Sequence, residues 1–102
     1  NGLWHTVLDD PASYCEVSGS SAIAAGILKG IHLGILDSSY LPTAELAISA
    51  VCDNIAADGT VLNVSAGTGI GMNADHYKNI VIKPMAYGQS LAILALTEAL
   101  EG

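Results

Sequence analysis

The chain has 102 residues, of which 51% are hydrophobic and only 13% charged, with a net charge of −7. Charged residues therefore occur at about half the usual ~25%. A free-standing domain of this size leaves much of its surface in water, and so few charges would cover that surface poorly. We therefore expect the chain to associate with a partner or to belong to a larger fold. The aliphatic content excludes a disordered protein, and two cysteines exclude a disulfide scaffold.

The charge balance also limits the partners. The chain has three basic and ten acidic residues. Nucleic acids and anionic membrane surfaces attract clusters of Lys and Arg, so we expect neither as a partner. Cys15 and Cys52 lie in apolar stretches, which predicts two buried thiols rather than a disulfide. The histidines and cysteines show no metal-ligand spacing, so we expect no metal and no cofactor. Reduced thiols favour a cytoplasmic location.

The first predicted helix runs from Ser18 to about Leu36, with Ser18 or Ser20 as its N-cap. It is apolar on almost every face, which is typical of a helix enclosed by other helices. It is too short to span a membrane, since a span needs about 20 apolar residues. Small residues recur every four positions and predict a ridge for close helix contact: Ala22, Gly26, Gly30 and Gly34. His32 is interpreted as a core histidine.

The second predicted helix, from Pro42 to about Ala57, has one apolar and one polar face. A short strand over 60–64 and a long loop over 65–86 follow. A third helix, again mostly apolar, spans about 88–100. The fold class is therefore all-α: about three helices plus a short strand and a long loop. Enclosed helices alternating with a one-faced helix describe a double-layered array that three helices cannot close.

Three features could bind a ligand, and each has a structural alternative. The run Gly67-x-Gly69-x-Gly71 after a strand resembles a nucleotide loop, as in methyltransferases, but Met72 stands where the full motif needs glycine. Trp4 and His5 could form a sugar platform or could be a core residue and a surface residue. Glu16 and Ser18 could line the mouth of a helical barrel, or Glu16 could cap the helix and stabilise its dipole.

Three ordered sequence blocks show a resemblance to the unsaturated glycosyl hydrolases of glycoside hydrolase families 105 and 88. It covers essentially the whole chain and fits family 105 better. The blocks are Gly2-Leu3-Trp4-His5-x-x-Leu8-Asp9-Asp10 with Tyr14-x-Glu16-x-Ser18-Gly19-Ser20-Ser21-Ala22, then Ser65-Ala66-Gly67-Thr68-Gly69-Ile70-Gly71, then Tyr77-x-Asn79 with Tyr87-Gly88-Gln89-x-Leu91.

The resemblance implies that residues 1–102 are the C-terminal fragment of a single (α/α)6 barrel domain, here incomplete. The family hydrates the vinyl ether of a 4,5-unsaturated uronic acid: a carboxyl group protonates the double bond, water adds, and the hemiacetal collapses to release the sugar. The family's catalytic Asp residues are expected upstream of Asn1, so the catalytic residues remain unknown. Candidate substrate-binding residues are Trp4, His5, Glu16, Ser18, Gly67, Thr68 and Gly69.

The expected function is thus part of a glycoside hydrolase that is inactive alone and meets its unsaturated oligosaccharide through the full barrel. The apolar helices would contact the remainder of the barrel or a second copy of the chain. A non-catalytic helical interaction module is the alternative, and a methyltransferase-like ligand-binding fragment is a third.

Overall fold

A computed structural model describes residues 1–67 and 69–101. Helix α1 packs against both α2 and α4, and most of the helix–helix contact lies between α1 and α4. Pairing of extended backbone in the described residues is limited to three isolated bridges. The all-α prediction is therefore confirmed. The elements are α1 (Val17–His32), a 3-10 helix (Ser38–Tyr40), α2 (Leu41–Asp53), α3 (Ala74–Lys78) and α4 (Ala86–Glu101).

Helix α1 ends four residues earlier than predicted because Gly34 takes the left-handed conformation, with a φ of 75°. The N–H of Gly34 donates to the carbonyl of Ile31, and the N–H of Ile35 donates to the carbonyl of Gly30. This pair of bonds is a Schellman motif, which satisfies the last carbonyls of a helix and turns the chain away. The predicted end at Leu36 is wrong for this reason.

The predicted N-cap of α1 is also wrong. Glu16 takes that position, and its side chain accepts hydrogen bonds from the N–H groups of Ser18 and Gly19. The Ser20 hydroxyl instead accepts from the N–H of Trp4 at 2.9 Å. The interpretation of Glu16 as a cap is the one that the structure shows.

Helix α2 ends at Asp53, four residues before the predicted end near Ala57. A turn follows in which the N–H of Gly59 donates to the carbonyl of Ala56. The predicted strand over 60–64 is reduced to a single bridge between Ile55 and Val61. Two causes act together. The segment that faces it is short, and Asn63 has a φ of 60°, which interrupts the extended backbone.

The predicted loop 65–86 contains one turn of helix, α3. Asn73 caps it, because its side-chain oxygen accepts from the N–H of His76 at 3.3 Å. The polar sequence of this segment argues against a helix, yet one cap is enough for a five-residue turn.

The core lies where the three long helices meet the segment after α2. Its buried members are Val17, Val51, Val61, Val64 and Ala92. The predicted small-residue ridge does not form a helix contact, because Ala22 and Gly26 face outward. The buried face of α1 instead carries Ser21, Ala24 and Leu28.

Both helices predicted to be enclosed have exposed apolar faces within this chain. On α4, Ile93 is 57% exposed and Leu94 58% exposed, and Ile23 of α1 is also exposed. Two predictions of burial are wrong. Cys52 lies on the outer face of α2, and Cys15 is half-buried; both thiols are free.

His32 is likewise not a core residue, because it lies in the last turn of α1 at the surface. Its Nδ1 atom is 2.5 Å from the carboxylate of Glu98 on α4. No helix in the described part of the chain is long and apolar enough to cross a bilayer.

Candidate functional site

The N-terminus of α1 holds the most densely connected carboxylate in the described structure, that of Glu16. One oxygen accepts from the N–H of Gly19 at 2.6 Å. The other accepts from the Ser18 hydroxyl at 2.6 Å and from the N–H of Ser65 at 2.8 Å. Glu16 therefore joins the start of α1 to a segment about 50 residues further along the chain.

Ser65 is held through all three of its polar groups. Besides the N–H bonded to Glu16, its hydroxyl lies 2.6 Å from the hydroxyl of Tyr14, and its carbonyl accepts from the hydroxyl of Tyr87 on α4. A bridge between Ser65 and Ile82 closes the base of the loop. Three separate elements thus fix the backbone where the loop begins.

Between α1 and the loop lies an open depression of about 500 Å³, which we call the α1 depression. Hydroxyl groups dominate its walls, and Glu16 is the one carboxylate among its described lining residues. Hydroxyls and aromatic faces suit a sugar, since they offer hydrogen bonds and an apolar ring surface. The lining residues are Thr6, Glu16, Ser18, Ser65, Gly67, Tyr77 and Tyr87.

A second depression, of about 610 Å³, is lined by loop residues between 66 and 81, including part of α3. The N–H of Gly71 donates to the Tyr77 hydroxyl at 3.0 Å, which ties the glycine segment to α3. Lys78 forms an ion pair with Asp10 in the N-terminal turn. The Lys78 ammonium lowers the pKa of the Asp10 carboxyl, and the N–H of Ala12 assists.

The predicted substrate-binding residues separate into groups. Glu16 and Ser18 line the α1 depression, Gly69 lines the second depression, and Gly67 lines both. Thr68 lies outside the described residues. The role of the whole set in binding stays a prediction.

Trp4 and His5 lie beside the α1 depression and are not among its described lining residues. The carbonyl of Trp4 accepts from the N–H of Glu16 at 3.1 Å. His5 Nδ1 is 2.7 Å from the carbonyl of Ser13, and a carbonyl only accepts, so Nδ1 carries the proton. The Cys15 sulfur lies 3.7 Å from the same nitrogen.

Four residues of the α1 depression were not predicted as site residues: Thr6, Ser65, Tyr77 and Tyr87. The last three stand in the sequence blocks that carry the family resemblance, and this was the available signal. Nothing in their local pattern shows that they meet, because the contacts join distant parts of the chain.

A possible cation-binding set lies far along α1 and α4 from Glu16, at the ends of these helices. His32, Glu98 and Glu101 place one ligand atom each within 4.8 Å of one another. Glu98 is already paired with His32, and Lys29 lies 3.8 Å from its other oxygen.

Comparison with known proteins assigns the chain to a class. The family model of Glycosyl Hydrolase Family 88 matches residues 1–101. The unsaturated rhamnogalacturonyl hydrolase YesR of Bacillus subtilis is 40% identical over 102 residues, which are 99% of this chain and 28% of that protein.

Two solved structures, each titled a possible member of the GH105 family, show the same fold. The protein from Klebsiella pneumoniae is 46% identical, with a TM-score of 0.95, and the match covers 98% of this chain and 26% of that one. The protein from Salmonella enterica serovar Paratyphi A is 44% identical, with a TM-score of 0.96 and the same coverage.

The family match and the shared helical fold thus place the chain among the helical glycoside hydrolases. It belongs to Glycosyl Hydrolase Family 88. The predicted resemblance and the predicted (α/α)6 barrel class are confirmed. The chain spans about a quarter of the length of the relatives it matches.

Proposed function

We propose that this chain is the C-terminal part of a single (α/α)6 barrel domain whose whole acts on 4,5-unsaturated uronyl oligosaccharides. The observation that carries the proposal is the 40% identity to an unsaturated rhamnogalacturonyl hydrolase over 99% of the chain. The α1 depression supports it, because its lining offers hydroxyls and tyrosine rings of the kind that bind sugars.

The proposed reaction is hydration of the vinyl ether. A proton adds to C4 and a hydroxyl from water to C5, which gives a hemiketal. Opening of the ring leaves a hemiacetal at C1, and this hemiacetal expels the neighbouring sugar. This route differs from direct displacement at the anomeric carbon by paired carboxylates.

We propose that the chain supplies one wall of the site and is inactive alone. Glu16, the carboxylate among the described lining residues, is held by protein donors at both oxygens, three at Oε2 and one at Oε1. A carboxyl group that protonates the double bond must reach carbon with a free oxygen. The proton donor would then come from the rest of the barrel.

The exposed apolar faces of α1 and α4 indicate which part of the protein contacts this chain. Ile23, Ile93 and Leu94 expose apolar surface that the remainder of the barrel would cover. Neither nucleic acid nor a membrane is part of the proposal, since three basic residues are too few to attract either. Two free thiols support a cytoplasmic location.

The test is an assay of the hydrolase that contains this chain, with a disaccharide bearing an unsaturated uronyl residue. Hydration destroys the conjugated double bond, so its ultraviolet absorbance should disappear as the second sugar is released. The saturated disaccharide should stay intact, and the 102-residue chain by itself should consume neither substrate.

Cleavage of the saturated substrate at an equal rate would contradict vinyl-ether hydration. Turnover by the 102-residue chain alone would contradict the proposal that the proton donor lies elsewhere in the barrel.

A further inference from the structure

We propose that Glu16 is a positioning residue, which acts on the substrate only through Ser65 and the loop that follows it. The inference rests on the proposed function and assigns a role within the same site. In this role the carboxylate holds the loop in place and donates no proton to the substrate.

The first step is the occupancy of the carboxylate. Ser18 approaches it through both its N–H, at 3.3 Å, and its hydroxyl, at 2.6 Å. Gly19 and Ser65 donate through their N–H groups. Every partner is a donor, so an ionised carboxylate satisfies all of them at once. Three of these donors meet Oε2 and one meets Oε1, so the protein fixes the orientation of the carboxylate through both oxygens.

The second step is what the bonds hold. The N–H of Ser65 is fixed by Glu16, its hydroxyl by Tyr14 and its carbonyl by Tyr87. Next along the chain, the N–H of Ala66 donates to the carbonyl of Val81 at 2.7 Å. The two chain segments that meet at the base of the loop, 65–66 and 81–82, are therefore held together.

The third step connects the loop to the α1 depression. Gly67 and Tyr77 belong to the loop and line one wall, whereas Ser18 belongs to α1 and lines another. Glu16 bonds to Ser18 on one side and to Ser65 on the other. Glu16 thus joins the two walls directly, beside the backbone hydrogen bond from the N–H of Val17 to the carbonyl of Asn63.

The decisive variant is Glu16→Gln in the whole hydrolase. A glutamine has the same shape but one acceptor oxygen, and its amide nitrogen would face N–H or O–H donors in either orientation. Loss of wall position weakens binding, so we expect KM to rise about tenfold with kcat changed less than about twofold. The pH dependence of kcat should keep its shape. Glu45→Gln, on the exposed side of α2, is the matched control.

A second variant keeps the test valid if Glu16→Gln fails to fold. Tyr14 holds the Ser65 hydroxyl and is not among the described lining residues, so Tyr14→Phe should also raise KM rather than lower kcat. Tyr40→Phe, at an exposed tyrosine, is its control. In both site variants the amides of residues 66–82 should exchange hydrogen faster than in the wild type.

Three results would overturn the inference. A fall in kcat of about a hundredfold, with a changed pH profile, would identify Glu16 as the proton donor. Unchanged KM in both variants would show that the loop needs no such fixing, as would unchanged amide exchange. If the wild-type hydrolase leaves unsaturated substrates intact, the proposed function fails, and the exchange measurement still decides whether Glu16 positions the loop.

Discussion

Gly88 of α4 lies so close to Val64 that a Cβ atom at position 88 would come within 2.6 Å of a Val64 methyl carbon. Val64 is fully buried and belongs to the core cluster. The absence of a side chain at position 88 therefore lets α4 approach the segment that carries Ser65. This contact sets how near Tyr87 can come to the loop.

We expect Gly88→Ala to destabilise the fold by about 1–3 kcal/mol, the range for an overpacked core. Gly26→Ala is the control, because a Cβ there meets nothing within 4 Å. At this exposed position within α1, alanine should stabilise by about 0.5–1 kcal/mol through helix propensity. Urea denaturation measures the free energy of unfolding of both variants and of the wild type. Equal effects of the two substitutions would contradict the packing argument.

The ion pair between Asp10 and Lys78 should make the loop sensitive to pH. The pKa of Asp10 is lowered from 3.8 by Lys78, and that of Lys78 is raised from 10.5 by Asp10. The contribution of Asp10 to the stability of the folded loop is present above pH 3.8 and is lost as pH falls through its lowered pKa. The contribution of Lys78 to that stability is present below pH 10.5 and is lost as pH rises through its raised pKa.

Amide exchange around α3, corrected for the intrinsic pH dependence, should accordingly increase only below the lowered pKa of Asp10 and above the raised pKa of Lys78. Lys78→Met should abolish the increase in amide exchange at acidic pH. Lys83→Met, at an exposed lysine on the other side of the loop, should leave that increase unchanged.

The hydroxyl of Tyr87 donates to the carbonyl of Ser65. Tyr87→Phe removes this donor and should reduce the free energy of unfolding by about 1 kcal/mol, the usual net value of one hydrogen bond. Tyr40→Phe should change stability by less than about 0.5 kcal/mol, as surface substitutions usually do. If both variants lose the same stability, the bond to Ser65 contributes nothing specific.

The apolar face of α4 should drive self-association of the 102-residue chain in the absence of other chain segments. Leu94 is 58% exposed, and burying the exposed part of such a side chain against a second copy stabilises the pair by about 1–2 kcal/mol per side chain. Sedimentation should detect oligomers that Leu94→Glu reduces. Thr97→Glu adds the same charge nearby and should have the smaller effect. A monomer at all concentrations would contradict this prediction.

The sequence predicted the elements better than it predicted their ends and contacts. Apolar patterning located α1, α2 and α4, since burial of apolar faces is what stabilises these helices. The end of α1 depended on Gly34, where several small residues were equivalent candidates. The N-cap prediction of Ser18 or Ser20 was wrong because Ser, Thr, Asp and Asn are preferred there over Glu, whereas the alternative interpretation of Glu16 as a cap was correct.

The candidate site was predictable in part for a different reason. Glu16, Ser18 and Gly67 could be chosen from local pattern and family resemblance. The contacts of Ser65 could not, because its partners lie 49, 51 and 22 positions away. Local sequence carries no information on which hydroxyl reaches which carbonyl once the helices have packed. The roles of Tyr14 and Tyr87 can therefore be assigned only from the structure.

The closed base of the loop has a consequence for how this fold can be altered. The N–H of Ala66 bonds to Val81, and the N–H of Lys83 bonds to Val64, so the chain leaves and re-enters the helical body at one place. Doubling the length of a loop closed in this way costs only about 0.6 kcal/mol of closure entropy. Insertions in the segment enclosed by the bond between Ala66 and Val81 should be tolerated by α1, α2 and α4, which makes the part of 67–80 outside α3 a suitable place to graft new substrate contacts.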